Sequence, residues 1–185
     1  MEYQYPFGWG ELCGIASRTN YDLSQHMEYS SKDLKYFDEA AKEKYIPFVI
    51  EPSLGVQRSA LVFLCDAYEE EEIKEGDIRV VLHLHNQLAP VKIAVMPLAK
   101  KIADNAKPVF DTLVQQLGLN MDFDVQGSIG KRYRRQDEAG TPYCVTFDYD
   151  SLDDNAVTVR ERDSMDQQRI KIDELVPFFR EKFTY

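Results

Sequence analysis

Several features that would assign a chain quickly to a class of protein are missing from this sequence. It has no apolar run approaching the roughly 20 residues that a membrane-spanning helix requires. Its first residues form neither the basic segment nor the apolar stretch of a secretory signal. Its three cysteines stand far apart, without the CxxC spacing of zinc or redox motifs. We therefore expect no membrane span, no metal site and a cytoplasmic location.

Internal repeats and low-complexity tracts are absent as well. A length of 185 residues, of which 44% are hydrophobic, suffices for one good-sized domain or for a small complete domain that carries part of another. The segment Asn86-Gln87-Leu88-Ala89-Pro90 has the composition of a junction. We therefore predict two domains, residues 1–87 and residues 88–185.

An excess of basic charge is also missing. The net charge of -10 argues against a nucleic-acid partner, because lysine and arginine provide the energy of phosphate binding. The charge is uneven, however: residues 1–87 contain 8 basic and 16 acidic residues, whereas residues 88–185 contain 14 and 16. The second part includes the basic cluster Lys131-Arg132-Tyr133-Arg134-Arg135. Because a local field guides docking more than the total charge does, a polyanionic partner remains open for this part.

The hydrophobic pattern predicts an α/β fold. In the first part it indicates strands at residues 7–16, 45–51 and 79–84. It also indicates a mostly buried helix at residues 56–68, which ends at the acidic run of residues 69–72. In the second part strands alternate with helices, which predicts βαβ units and a largely parallel or mixed sheet. The predicted strands there are residues 91–96, 121–125, 143–149 and 156–161, and the helices are residues 98–117, 128–139 and 172–182.

The sharpest motif is Glu51-Pro52-Ser53-Leu54-Gly55-Val56-Gln57-Arg58, at a strand-to-helix turn. It resembles motif 3 of class II aminoacyl-tRNA synthetases. Gly-apolar-x-Arg alone is a weak signal, but its neighbours look like those of class II glycine-tRNA ligases over nearly the whole chain. These segments are Phe7-Gly8-Trp9-Gly10-Glu11-Leu12, Gly14-Ile15-Ala16-Ser17-Arg18-Thr19, Tyr21-Asp22-Leu23-Ser24-Gln25-His26, His83-Leu84-His85, Ala89-Pro90-Val91-Lys92 and Gly127-Ser128-Ile129-Gly130-Lys131-Arg132-Tyr133-Arg134-Arg135-Gln136-Asp137.

The resemblance implies that residues 1–87 are the end of the antiparallel-sheet catalytic core. Residues 88–185 would be an anticodon-binding domain with a mixed five-stranded sheet and about three helices. It further implies glycine, ATP with Mg²⁺ and tRNA(Gly) as ligands, and a homodimer as the full enzyme. Family motifs 1 and 2 lie upstream of the segment matched here, so we expect this chain to be inactive without that N-terminal part.

The chemistry of selecting glycine explains the residue types in the motif. Glycine offers an ammonium and a carboxylate but no side chain, so a site must pair its ammonium with carboxylates and exclude anything larger. By resemblance, Glu11, Glu51 and Ser53 would bind glycine, and Arg58 with Glu51 would bind ATP. In the alternative interpretation Glu11 points to solvent, Glu51 is a helix-entry acid, and Arg58 pairs with Glu11 or with Asp66.

Basic side chains in the second part are candidates for tRNA contacts. Those near a helix start would meet phosphates, and those at the end of a strand would reach anticodon bases. The candidates are Lys131, Arg132, Arg134, Arg135, Arg160 and Arg162. Clusters of this kind are more often solvated faces or ion-pair networks, so that interpretation stays open.

His83 and His85 alternate on a predicted strand and invite a metal interpretation. We reject it on the sequence, because no third ligand is near and His26 is too isolated to serve as one.

Two functions other than catalysis also remain open. The chain could be a tRNA-binding module without catalysis, or a synthetase-like accessory protein with a structural role. Retention of the acid-rich motif with its arginine argues against the accessory protein.

Overall fold

The structure is a computed structural model that describes residues 1–184. The chain forms two compact units, the first spanning Met1–Cys65 and the second beginning at Asp66. The domain division that we predicted after residue 87 lies inside the second unit, so the assignment of residues 66–87 to a catalytic core stays a prediction. No helix within the described residues is long and apolar enough to cross a membrane.

The first unit consists of short antiparallel strand pairs and helices. A strand was predicted across residues 7–16, and this prediction is wrong in detail, because the segment divides at Leu12. The ring of Tyr5 stacks on Phe7 at 4.9 Å, which closes a tight first hairpin before the chain starts a new strand. The pairs are β1 (Glu2–Tyr5) with β2 (Gly8–Glu11), β3 (Cys13–Thr19) with β6 (Val49–Leu54), and β4 (Tyr36–Asp38) with β5 (Glu43–Tyr45); the helices are α1 (Tyr21–Ser30) and the start of α2 (Val56–Ala67).

Helix α2 confirms the predicted helix after Gly55, but its expected burial is wrong. Val56 is 81% exposed, and Phe63 and Leu64 are each nearly half exposed. Only Ala67 of this helix is buried. The apolar face of α2 is therefore open surface, which is unusual because a helix with such a face normally gains its stability by packing.

The second unit begins with the hairpin of β7 (Tyr68–Lys74) and β8 (Asp77–Leu82). The acidic run at residues 69–72 was expected to end a helix, and it is instead part of β7. Acids at a helix C-terminus oppose the dipole, whereas a strand points successive side chains to opposite faces. Gly76 turns the hairpin with a φ of +75°.

A mixed five-stranded sheet forms the centre of the second unit, as predicted. Its order is β10-β9-β11-β12-β13, in which β9 runs parallel to both neighbours and the remaining pairs are antiparallel. One strand had not been located from the sequence, because Gln167-Gln168-Arg169-Ile170-Lys171 is polar at every position but one. The strands are β9 (Ile93–Pro97), β10 (Met121–Phe123), β11 (Tyr143–Phe147), β12 (Ala156–Glu161) and β13 (Gln167–Lys171).

Helices cover both faces of this sheet. Strand β9 is buried at all five positions and sends alternate side chains to opposite faces. Ile93 and Val95 pack with α3 and α6, whereas Ala94 and Met96 pack with Ile129 of α4. The helices are α3 (Ala103–Leu117), α4 (Ile129–Glu138), the single turn α5 (Ser151–Asp154) and α6 (Leu175–Phe183), with 3₁₀ turns at Lys100–Ile102 and Ile172–Glu174.

Candidate functional site

An open cleft of about 570 Å³ lies in the first unit at the turn between β6 and α2. Three of the four residues predicted to bind glycine or ATP line it together: Glu11, Ser53 and Arg58. Their side chains come from the end of β2, the end of β6 and the first turn of α2. The other lining residues are Phe7, Leu12, Gly55, Gln57 and Leu61.

Arg58 is tied to the strand that carries Glu11. Its Nη1 donates a hydrogen bond to the backbone carbonyl oxygen of Glu11. Arg58 thus contacts the backbone of Glu11 and not its carboxylate. The alternative interpretation of the sequence had Arg58 in an ion pair with that carboxylate. The lining of the cleft therefore includes a cationic, an anionic and a hydroxyl side chain.

Glu51 does not line the cleft. Its Oε2 lies 3.3 Å from Nε of Arg18, whose guanidinium donates two hydrogen bonds to Asp22 at 2.9 and 3.0 Å. The hydrogen bond to Asp22, together with the charges of Asp22 and Glu51, raises the pKa of Arg18. Since Glu51 and Ser53 are two residues apart on β6, alternation places both side chains on one face of the strand. The second acidic side chain thus stands next to the cleft, held by Arg18.

A second candidate surface lies at the start of α4, around an open pocket of about 570 Å³. Three of the predicted tRNA-binding residues line it: Lys131, Arg134 and Arg135. Arg134 pairs with Asp77 at 2.8 Å, and Arg135 pairs with Asp124 at 2.6 Å. Lys131 is exposed, and no ion pair of Lys131 is found within residues 1–184. Lys131 therefore offers the least compensated positive charge of this surface.

The other three tRNA candidates are buried, and their guanidinium groups bind parts of the second unit. Arg132, which is 2% exposed, donates to the carbonyl oxygens of Pro97, Val125 and Gly127. This arginine therefore fastens the loop that precedes its own helix to the end of β9.

Arg160 and Arg162 are buried in a comparable way. Arg160 is 7% exposed and donates to both oxygens of Asp137, at 2.9 and 3.2 Å. Arg162 is 3% exposed; it donates to the carbonyl oxygen of Gly140 at 2.8 Å and to Asp163 at 2.6 and 2.9 Å. These contacts favour a structural role, and a direct contact of either residue with anticodon bases stays a prediction.

The surroundings of His83 could not be deduced from distances along the sequence. The hairpin register places Glu69 opposite Val81, so Glu69 and Glu71 lie on the same face as His83 just beyond β8. Glu71 Oε1 lies 3.0 Å and Glu69 Oε2 lies 3.5 Å from Nε2 of His83, while Asp163 Oδ1 lies 2.7 Å from Nδ1. The signal in the sequence is the run Glu69 to Glu72 before Gly76, because a strand would place Glu69 and Glu71 on one face.

Comparison with known families defines the class of the second unit. A family described as the anticodon binding domain matches residues 92–182, which comprise the five-stranded sheet and its helices. Prolyl-tRNA synthetase of Giardia lamblia, solved with prolyl-adenylate, matches with a TM-score of 0.65 and 19% identity; the match covers 95% of this chain and 34% of that one. The second unit thus has the fold of a class II synthetase anticodon-binding domain.

Sequence relatives define the family more closely. Glycine–tRNA ligase of Acetivibrio thermocellus is 63% identical over all 185 residues, and that of Lachnoclostridium phytofermentans is 57% identical over the same span. By sequence the chain belongs to the glycine–tRNA ligase family and corresponds to its C-terminal part. The chain spans 40% of the length of each of these two relatives.

Proposed function

We propose that the chain acts as the C-terminal part of a glycine–tRNA ligase, in the cytoplasm where tRNA is charged. In this proposal the first unit provides one wall of the glycine and ATP pocket, and the second unit holds tRNA(Gly). The single observation that carries the proposal is the convergence of Glu11, Ser53 and Arg58 on one cleft.

The cleft fits an amino acid without a side chain. An ammonium group requires carboxylates in a site from which water is excluded, and Glu11 offers one at the cleft while Glu51 offers another beside it. Glu51 Oε2 lies 3.3 Å from Nε of Arg18, and the guanidinium of Arg18 is itself held by the two hydrogen bonds that it donates to Asp22. We therefore propose that Arg18 and Asp22 hold Glu51 ready for the ammonium of glycine.

Arg58 is placed to contact the nucleotide. A planar guanidinium stacks on a base and donates to phosphate oxygens in a fork that lysine cannot reproduce. The hydrogen bond to the carbonyl oxygen of Glu11 fixes this fork at the mouth of the cleft. ATP and Mg²⁺ would enter together as substrate, and carboxylate oxygens are the kind of ligand that Mg²⁺ accepts.

Completion of the pocket requires surface that this chain does not provide. The apolar face of α2 and the rings of Phe7 and Trp9 are exposed, the latter two at 76% and 69%. Exposed apolar area of this kind marks an interface. We propose that the upstream part of the ligase covers it and supplies the remaining phosphate contacts, and that the complete enzyme is a homodimer.

Glycine-dependent exchange between ATP and pyrophosphate tests this proposal. We expect no exchange by the 185-residue chain alone. Exchange should appear when the chain is joined to the upstream part of the Acetivibrio thermocellus ligase, and both E11Q and R58K should lower it at least tenfold. E28Q, on the exposed surface of α1, is the matched control. Exchange by the chain alone, or full activity of the joined E11Q and R58K variants, would contradict the proposal.

A second candidate function is tRNA binding without catalysis. The observation that favours it is the exposed Lys131 beside the pocket at the start of α4, within the segment that matches the anticodon binding domain. Two results together would support this function over catalysis: the chain binds tRNA(Gly), and the chain joined to the upstream part of the ligase performs no exchange between ATP and pyrophosphate.

A further inference from the structure

The imidazole of His83 has carboxylate oxygens at both of its nitrogens. On one side Asp163 Oδ1 lies 2.7 Å from Nδ1. On the other side Glu71 Oε1 lies 3.0 Å and Glu69 Oε2 lies 3.5 Å from Nε2. Ligand atoms of Glu69, Glu71 and His83 all lie within 4.8 Å of one another. Two carboxylates and an imidazole nitrogen therefore lie close enough together to reach one ion.

A neutral imidazole cannot satisfy this arrangement alone. It carries one N–H, and the other nitrogen presents a lone pair. When Nδ1–H donates to Asp163, the Nε2 lone pair faces two carboxylate oxygens, and the three electron-rich atoms repel one another. A cation at Nε2, either a second ring proton or a metal ion, converts the repulsion into attraction.

The two separations measured from Nε2 are compatible with a tetrahedral metal. Ligands at about 2.0–2.1 Å from a zinc ion stand roughly 3.3 Å apart at tetrahedral angles. The separations of 3.0 and 3.5 Å from Nε2 to the two glutamate oxygens lie on either side of that value.

Further contacts hold these ligands in place. Arg162 donates two hydrogen bonds to Asp163, at 2.6 and 2.9 Å, so the carboxylate that orients the imidazole is itself fixed. Arg79 Nη1 donates to Glu71 Oε2 at 2.7 Å and leaves Oε1 directed at His83. A carboxylate that orients a histidine in this way is the usual support of a zinc ligand.

The site is also accessible. The side chain of Glu69 is 63% exposed and that of His83 is 27% exposed, so an ion can enter and a water molecule can complete the coordination. Mixed nitrogen and oxygen donors suit Zn²⁺, whereas Mg²⁺ prefers oxygen alone.

We infer that Glu69, Glu71 and His83 form a binding site for a divalent cation of the zinc class, with Asp163 as the residue that orients His83. The site lies in the second unit, and none of its residues belongs to the glycine and ATP cleft. It joins the β7–β8 hairpin to the segment that follows β12. We expect the bound ion to stabilise the second unit. The inference does not depend on the proposed catalytic function.

Titration of the untagged 185-residue chain tests the site. The protein is first stripped with EDTA and treated with iodoacetamide, so that accessible thiols do not bind metal. We expect one equivalent of Zn²⁺ by calorimetry, visible absorption bands of tetrahedral Co²⁺, and a rise in the thermal midpoint. E69Q should weaken zinc binding at least tenfold without loss of fold, because this side chain is exposed and contacts His83 alone among the site residues.

Matched variants separate this site from adventitious binding. H83Q should abolish zinc binding. E70Q, one residue along β7, and H85Q, two residues along the chain, should bind as the parent does. Absence of zinc binding would overturn the inference, and so would equal binding by E69Q, H83Q and the parent. Nitrogen NMR that shows both ring nitrogens of His83 protonated and unchanged on addition of zinc would overturn it as well.

Discussion

Asp137 and Arg160 are a buried pair in which the guanidinium donates to both carboxylate oxygens, at 2.9 and 3.2 Å. The same Asp137 accepts a hydrogen bond at 2.9 Å from Nε of Arg79, which is 1% exposed. One carboxylate of α4 thus compensates two buried cations, one from β12 and one from the β7–β8 hairpin. Through Asp137 the hairpin is fastened to the anticodon-binding fold, although the family match begins only at residue 92.

Loss of the Asp137 charge should strongly destabilise the second unit. In D137N two guanidinium groups remain buried without their shared anion, and breaking a buried pair in this way costs about 3–5 kcal/mol. Urea unfolding followed by circular dichroism measures the change. D111N removes the exposed pair between Lys107 and Asp111 and should cost at most about 0.5 kcal/mol. Equal unfolding midpoints for the two variants would refute the role of Asp137.

Lys131 and Arg162 should differ in how they affect tRNA binding. K131A should weaken binding of tRNA(Gly) without changing stability, and should lower the slope of log K against log salt by about 0.7–0.9. R162A should cost about 1–3 kcal/mol of folding stability, because it leaves buried polar partners unsatisfied. Gel shifts over a salt series, with urea unfolding in parallel, separate these effects. An R162A protein that is fully stable yet binds weakly would place Arg162 at the RNA.

The three cysteines should react at very different rates. Cys144 is completely enclosed beneath α4, and burial raises the pKa of its thiol to about 12. Because the thiolate is the reactive species, Cys144 should remain unmodified by iodoacetamide at pH 8 in the native chain. Cys13 and Cys65, which are partly exposed, should be modified. Mass spectrometry of peptides counts the labels, with urea-unfolded protein as the control. Equal labelling of all three native thiols would contradict the enclosed position of Cys144.

Arg169 should give the second unit a stability that is lost in acid. Burial acts to raise the pKa of Asp148, but hydrogen bonds from Arg169 and Ser151 outweigh it and hold that pKa below its usual value. Arg169 also lowers the pKa of Asp154. A carboxyl group with a depressed folded pKa contributes stability that is complete above about pH 3.9, and that is lost as the pH falls through the folded values.

The variant R169Q tests this pH dependence. It should be about 1 kcal/mol less stable at neutral pH, and its stability should fall less steeply in acid. Free energies of unfolding measured across the acid range provide the comparison. R180Q, which removes a long 3.3 Å contact with Gln116, is the matched control and should follow the parent. Parallel curves for R169Q and the parent would exclude the depressed carboxyl groups as the cause.

Gly140 should tolerate no side chain. Its φ is +75°, and an added Cβ would lie 3.0 Å from the carbonyl oxygen of Leu82. Gly118 has a similar φ of +64° but open space at the Cβ position. G118A should therefore cost about 1–2 kcal/mol for the left-handed backbone alone, whereas G140A should cost more. Urea unfolding of both variants measures their loss of stability. Equal losses in G118A and G140A would show that Leu82 moves aside at little cost.

The elements that the sequence predicted well are those with a strong apolar pattern. Strand β12 has the predicted bounds, and the helices around the central sheet were located to within a few residues, because their apolar positions repeat with clear periods. The strands β7 and β13 were not located, since most of their residues are polar and their place is decided by pairing with a neighbour. Local pattern carries no information on that pairing.

The candidate sites show the same limit. The family resemblance grouped Glu11, Glu51, Ser53 and Arg58, and three of these four residues line one cleft while Glu51 does not. Resemblance can relate segments that are distant in sequence. Charge alone did not separate the exposed Lys131 from the buried Arg132 beside it. Burial depends on which face of α4 meets the sheet. Glu69 and Glu71 reach His83 from β7, a segment whose local pattern predicts a helix end.

The order of strands in the central sheet also determines when its parts can form. Strands β11, β12 and β13 are consecutive and antiparallel, so short loops close them. Strand β9 pairs with β11 across about fifty residues of sequence, and such distant closure is slow in folding. During synthesis β9 therefore leaves the ribosome well before its central partner exists. Its fully apolar sequence lacks that partner through the interval, and apolar strands exposed in this way favour aggregation.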